Sequence, residues 1–232
     1  MKQSMILLHG LFGGLSNWEG VIQHFGSRYD IHIPLLPIYD QHNEDNLDYL
    51  VRFLERYIQQ HTLEKPVLIG NSLGGHVAIL YTHRHPDKVS RLVLTGSSGL
   101  YENNIMGNYP KRGNYEYIRE RVAYTFYDPA VATDALVNEV LQITRNRIKC
   151  LRIVQTAKSA QRNHVAAILP EIPTPTLLIW GEEDRVSPPD VAYEFQQLLP
   201  DVQLVMLSAC GHAPMMEHPG QFNRILEDFL GK

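Results

Sequence analysis

The chain has 232 residues, of which 44% are hydrophobic and 20% charged, with a formal net charge of -4. That length buries a substantial core as one domain, and the mildly acidic balance, without a basic patch, excludes an electrostatic nucleic-acid surface. The expected partner is a small-molecule substrate, with the chain acting as a monomer or homodimer. The first apolar run, Met5-Ile6-Leu7-Leu8, is too short for a signal peptide or a membrane span, so no membrane insertion and a cytoplasmic location are expected. Cys150 and Cys210 cannot form a disulfide framework and are expected to be free thiols, with Cys210 serving as a small buried side chain.

In chain order, strand candidates fall at 5–8, 30–35, 67–69, 89–94, 176–180 and 203–207. Helix candidates lie at 18–25, 46–61, 73–85, 191–199 and 219–230. In the second helix Leu47, Leu50, Val51, Leu54 and Ile58 recur at three- and four-residue spacings, giving one apolar face. The strands are near-continuous apolar runs, as expected of parallel strands covered on both faces. The alternation argues for an α/β fold.

From 100 to 169 no strand pattern occurs, and the stretch reads as a helical insertion. Its front, 101–113, is rich in Asn, Gly and Tyr and reads as a mobile loop, whereas 115–126 and 130–156 read as helices. The expected division is a core of 1–99 and 170–232 with 100–169 inserted. Tyrosines at 101, 109, 115, 117, 124 and 127 are most simply packing groups at its edge.

The most informative local pattern is Gly70-Asn71-Ser72-Leu73-Gly74, which follows the apolar run 66–69 and opens a helix. Glycines two residues either side of a serine let neighbouring elements approach a strained turn that carries a nucleophile, although a linking loop has the same composition. A serine hydroxyl needs a base, itself oriented by a carboxylate. Asp184 follows the fifth strand and His212 follows the sixth. In a parallel sheet both emerge at the C-terminal edge, where Ser72 also sits.

This order of serine elbow, acid and histidine resembles the α/β-hydrolase family, as does the loop His9-Gly10-Leu11-Phe12-Gly13-Gly14 after the first strand. Gly181-Glu182-Glu183-Asp184 resembles the family's acid-bearing turn. Gly211-His212 with Glu217-His218-Pro219 resembles its terminal histidine segment. The resemblance covers nearly the whole chain. It implies a mainly parallel sheet of about six strands, smaller than the family's fullest form, with 100–169 as a helical lid. It also implies a triad of Ser72, His212 and Asp184. Backbone N–H groups of Leu73 and Leu11 would form the oxyanion hole, with Phe12 as the alternative to Leu11.

Rival residues receive other roles. Glu182 and Glu183 are expected to be solvated turn carboxylates, His218 a capping or surface group, and His9 a hydrogen-bonding group beneath the oxyanion loop. His76, one helical turn beyond Ser72, is expected to pack. Despite eleven histidines no H-E-x-x-H spacing occurs, so neither a metal nor a cofactor is expected.

Within the resembled family, a serine nucleophile implies acyl transfer to water. The reading taken is a carboxylesterase of short soluble esters, because the insertion is too polar for a lipase's interfacial surface. An alternative is a carbon–carbon bond hydrolase, or an enzyme like the menaquinone-pathway synthase, acting on a polycarboxylate. It would draw on Lys111, Arg112, Arg119, Arg121, Arg145, Arg147, Arg152 and Arg162. A non-catalytic small-molecule receptor on the same fold is the third reading.

Overall fold

The computed structural model describes residues 2–13, 18–103 and 113–231. In chain order the elements are β1 (Ser4–Leu8), α1 (Glu19–Phe25), β2 (Asp30–His32), α2 (Asn46–Gln60), β3 (Val67–Asn71), α3 (Leu73–Arg84) and β4 (Arg91–Thr95). They continue with α4 (Tyr115–Tyr124), α5 (Asp134–Arg145), α6 (Arg147–Arg162), β5 (Thr176–Gly181), α7 (Pro189–Leu198), β6 (Val202–Leu207), α8 (Pro214–Glu217) and α9 (Pro219–Leu230). All six strands pair in parallel, in the order β2-β1-β3-β4-β5-β6.

Strand side chains alternate between two cores. Ile6, Leu8, Leu68, Leu92, Leu178 and Trp180 face Leu50 and Leu54 of α2, Val77 of α3 and Phe195 of α7. Met5, Leu7, Ile69, Val93, Leu177 and Ile179 face Val21 and Phe25 of α1 and Phe222 and Leu226 of α9. With both faces covered, the central strands have no polar alternation to display, which explains their unbroken apolar runs.

The connection from β1 runs outward to β2, and the chain then returns to build β3 on the other side. The loops after β1 and β3 therefore diverge at the C-terminal edge and leave a crevice between them, the usual ligand position in such sheets.

Three expected elements differ. The second strand ends at His32 rather than running to 35, because Pro34 and Pro37 have no N–H to give to a ladder. The fourth begins at Arg91 and continues to Thr95. The single helix expected over 130–156 is instead a short 3-10 turn at Pro129–Val131 followed by α5 and α6, and it breaks at Asn146. The Asn146 side chain accepts from the N–H groups of Ile148 and Lys149, so a residue inside a continuous apolar pattern caps the start of a new helix. The loop expected at 101–113, with Tyr109, Lys111 and Arg112, falls mostly outside the described residues.

Helices α4 and α5 pack through Ile118, Val122, Val137 and Leu141 into the second core. α6 is fastened to α2 by polar contacts: Ser159 Oγ donates to Asp45 Oδ1 at 2.6 Å and Asn46 Nδ2 donates to Thr156 Oγ1 at 2.8 Å. Ile148 and Leu151 of α6 are 60% and 57% exposed, so this outer face is more apolar than the composition of the segment implied.

Candidate active site

Ser72 lies between β3 and α3 at φ 52°, ψ -120°, a left-handed conformation that costs a non-glycine residue roughly 1–3 kcal/mol. Three backbone bonds hold it there. Its N–H donates to Thr95 O at 3.1 Å, and its carbonyl accepts from His76 N at 3.2 Å and Ser98 N at 3.1 Å. The flanking glycines make room: a Cβ on Gly74 would lie 2.2 Å from Leu8 O, and one on Gly70 would lie 2.5 Å from the Gly74 backbone. A Gly74→Ala change therefore forces helix and strand apart. We expect a loss of about 3 kcal/mol in urea unfolding, and a loss under about 0.5 kcal/mol would contradict this packing.

Asp184, in the turn after β5, is buried and doubly anchored. Its Oδ1 accepts from Val186 N at 2.8 Å and Ser187 N at 3.0 Å, which leaves Oδ2 to meet His212 Nδ1 at 2.9 Å. The carboxylate cannot turn without abandoning two N–H groups. The pairing leaves Nε2 of His212 as the ring nitrogen available for chemistry. Among the described residues this is the only side-chain hydrogen bond of His212, and the ring shares a cavity wall with Ser72.

The histidine loop is fixed from three sides. His212 N donates to Thr125 O at 2.9 Å, and Asn71 Nδ2, beside Ser72, donates to His212 O at 3.1 Å and to Thr95 O at 3.0 Å. Glu217 accepts from Gly211 N at 2.9 Å through Oε1 and from Tyr127 N at 2.7 Å through Oε2, joining this loop to the end of α4. Gly96, at φ 50°, lies under the imidazole, where a Cβ would be 2.6 Å from His212 Nδ1.

Burial alone would lower the pKa of His212. The charge of Asp184 and its hydrogen bond, with Glu102 and Glu217 adding, outweigh burial and raise it above 6.5. Protonated His212 therefore contributes stability that is fully present below pH 6.5 and is lost as pH rises through the raised folded value. A base must be neutral, so kcat/KM is expected to fall about tenfold per pH unit below that value. A pH–rate profile checks this, and an acid limb centred below 6.5 would contradict it.

Leu11, Phe12 and Leu73 line the same cavity as Ser72 and His212. His9 meets Gly10 O at 2.7 Å through Nδ1 and accepts from Leu36 N at 3.0 Å through Nε2, supporting the loop after β1 as expected. His76 is fully buried and burial lowers its pKa to about 4, in keeping with packing. One expectation fails: Glu183 is not merely solvated, since its Oε2 accepts from Cys210 N at 2.9 Å. His218 stands at the N-cap position of α9 as a surface group; its side chain does not cap the helix and meets Ala209 O at 2.8 Å through Nε2. Cys210 is buried, and burial pushes its thiol pKa up. Among the described residues no group of three His, Cys, Asp or Glu side chains is arranged to hold a metal ion. No described helix is long and apolar enough to cross a membrane.

Above Ser72 is a cavity of about 660 Å³ whose walls are mostly apolar, including Ile118, Val122, Phe126 and Leu136. Three cations line it: Arg121 of α4 and Arg147 and Lys158 of α6. Of the expected cation reservoir only Arg121 and Arg147 reach this cavity among the described residues; Arg119 pairs with Asp134, Arg162 with Asp45, and Arg152 lines a separate depression. Lys158 and Glu102 line the cavity without having been singled out in the sequence.

A family model described as "Alpha/beta hydrolase family" matches residues 5–225. A 2-hydroxy-6-oxononadienedioate/2-hydroxy-6-oxononatrienedioate hydrolase of Paraburkholderia phymatum is 27% identical, the match covering all of this chain and 88% of that protein. Among solved structures, MGS-MChE2, an alpha/beta hydrolase enzyme from lagoon sediments of Mar Chica, is 36% identical with a TM-score of 0.79. The match covers 100% of this chain and 91% of that one. A putative lipase of Acinetobacter baumannii AYE is 25% identical with a TM-score of 0.87, over 99% of this chain and 83% of that one. The match over 5–225, on a sheet of six parallel strands flanked by helices, shows that the chain belongs to the alpha/beta hydrolase family.

Proposed function

We propose that this chain is a serine hydrolase that cleaves a carbon–carbon bond beside a ketone, in a substrate that carries a carboxylate. Ser72 is the nucleophile, His212 the base and then the acid, and Asp184 the group that orients the imidazole. Leu73 and Leu11 supply the oxyanion-hole N–H groups, with Phe12 as the alternative to Leu11. Residues 100–169 act as a lid over a core of 1–99 and 170–232. The observation that carries the reading is the cavity: an apolar chamber over Ser72 with Arg121, Arg147 and Lys158 in its walls suits a carbon skeleton bearing an anionic end. The Paraburkholderia relative, whose name specifies a dioate, supports the same substrate class.

The chemistry balances on these groups. The Ser72 hydroxyl adds to the ketone carbon as its proton passes to His212 Nε2, and the oxyanion rests on the backbone donors. Before this addition the enol of a dienoate substrate converts to its keto form, a proton moving from the enol hydroxyl to the carbon next to the ketone. Collapse of the adduct then breaks the bond to that carbon, and its electron pair leaves on a fragment stabilised as a conjugated enolate. That fragment takes the proton from His212, which leaves an acyl group on Ser72. Water, giving a proton to His212, then adds to the acyl carbon. Release of the carboxylic acid returns the proton to Ser72.

Ester cleavage, the first reading from the sequence, is the second reading here. It is favoured by the exposed Leu151 at the cavity and by the similarity to a putative lipase. A side-by-side assay separates the two: disappearance of a 2-hydroxy-6-oxo-hexa-2,4-dienoate chromophore against release of p-nitrophenol from esters of increasing chain length. We expect kcat/KM at least tenfold higher on the dienoate. The opposite ratio would make the chain an esterase, and no turnover of either would favour a receptor. The free thiols of Cys150 and Cys210 fit a cytoplasmic setting for this chemistry.

A further inference from the structure

Carbon–carbon cleavage by the triad gives no part to Glu102, the one carboxyl residue among the described residues that line the cavity. Glu102 follows β4 by seven residues on the connection that carries Ser97 and Ser98 past Ser72, and it lines the same cavity as Ser72 and His212. Neither oxygen of Glu102 takes a hydrogen bond from another described residue, whereas its neighbour Asn103 is tied down, its N–H donating to Val186 O at 2.7 Å and its Nδ2 to Arg185 O at 2.9 Å. A carboxyl held at a reaction cavity by a fixed neighbour, with no hydrogen-bond partner among the described residues, is placed to meet the substrate.

We propose that Glu102 is a specificity-determining residue. It makes the reacting end of the cavity acidic, so that a substrate enters with an uncharged or hydrogen-bond-donating group beside the scissile carbonyl and its carboxylate toward the cations of α4 and α6. This rests on the hydrolase reading of Ser72 and deepens it: where the dioate named for the Paraburkholderia relative carries a carboxylate on both sides of its 6-oxo group, the substrate of this chain carries its carboxylate on the leaving fragment only. The charges that act on Glu102 are His212 on the loop after β6 and Asp184 on the turn after β5, while Arg121 of α4 and Arg147 and Lys158 of α6 line the same cavity. Burial raises the Glu102 pKa to about 7; His212 lowers it and Asp184 raises it. The acidic end therefore gains charge across neutral pH. Below about 7 the neutral carboxyl donates a hydrogen bond, and above it the carboxylate repels an anionic acyl group.

The test compares two esters with one leaving group: p-nitrophenyl butyrate, with a neutral acyl group, and mono-p-nitrophenyl succinate, whose acyl group ends in a carboxylate. Their kcat/KM ratio is measured from about pH 6 to 8.5 in wild type, Glu102→Gln and Glu102→Asp. Wild type is expected to discriminate against the succinate increasingly as pH rises. Glu102→Gln should flatten the ratio, gaining about tenfold on the succinate at the alkaline end with less than about threefold change on the butyrate, and Glu102→Asp should keep the pH-dependent ratio. An unchanged pH dependence in Glu102→Gln, or an equal fall on both esters in both variants, overturns the assignment of Glu102 alone. Failure of the wild type to turn over either ester while it cleaves the dienoate overturns the assignment of Glu102, and failure on the dienoate as well overturns the hydrolase reading and this proposal with it.

Discussion

Ser72→Ala is expected to lower kcat/KM by roughly 10⁴- to 10⁶-fold on any substrate the enzyme turns over, while leaving the fold intact. The size follows from the role: without Oγ there is no acyl intermediate, and only the oxyanion donors and binding remain. The intact fold follows from the geometry. Ser72 lines the cavity and is held through its backbone by Thr95, His76 and Ser98. Alanine also keeps the backbone strain of φ 52°, so thermal unfolding should change by no more than a few degrees. Near-wild-type turnover in Ser72→Ala would remove the serine from the mechanism.

Asp184→Asn is expected to lower kcat by about 10⁴-fold with a much smaller change in KM. Both carboxylate oxygens act as acceptors here, Oδ1 from two backbone N–H groups and Oδ2 from His212 Nδ1. An asparagine has one acceptor and one donor in these positions. If its NH₂ faces the turn, two buried N–H groups meet a donor. If it faces the ring, His212 must shift its proton to Nε2 and can no longer serve as base. The first arrangement costs stability, about 1–3 kcal/mol, and the second costs catalysis. Loss of the Asp184 charge also moves the acid limb of the pH–rate profile downward, since that charge raises the His212 pKa. Unchanged kcat with an unmoved acid limb would show that Asp184 does not act through His212.

Much of this architecture was legible because local rules and global fold agree. The β-α alternation and the unbroken apolar strands required a sheet covered on both faces, and Ile6/Leu8 against Met5/Leu7 show that covering. The elbow was readable because a strained serine needs its glycines, and Asp184 and His212 stood out because each follows a strand at one sheet edge. Other features had no local signal. Asn146 sits inside a pattern that reads as one helix, and only its side chain's choice of the Ile148 and Lys149 N–H groups splits it. Glu183 and Glu217 are each one acid among several. Their partners, Cys210 N at 27 residues' separation and Tyr127 N at 90, exist only once the loops are assembled. Lys158 was one surface-type cation among 21 lysines and arginines until α6 turned it toward the cavity. Glu102 was similarly unmarked in sequence, lying in a loop with no motif of its own. Substrate class was the least legible feature, because it resides in the lining of a chamber assembled from separate stretches of chain.

Every chemical step depends on an activated serine at position 72, and covalent capture addresses it most directly. After incubation of the wild-type protein with a fluorophosphonate at mildly alkaline pH, intact mass and peptide mapping should find one adduct per chain, on the peptide carrying Ser72. The adduct should be absent in Ser72→Ala and formed far more slowly in His212→Ala. No adduct on the wild type, or one on another residue that persists in Ser72→Ala, would contradict an activated Ser72.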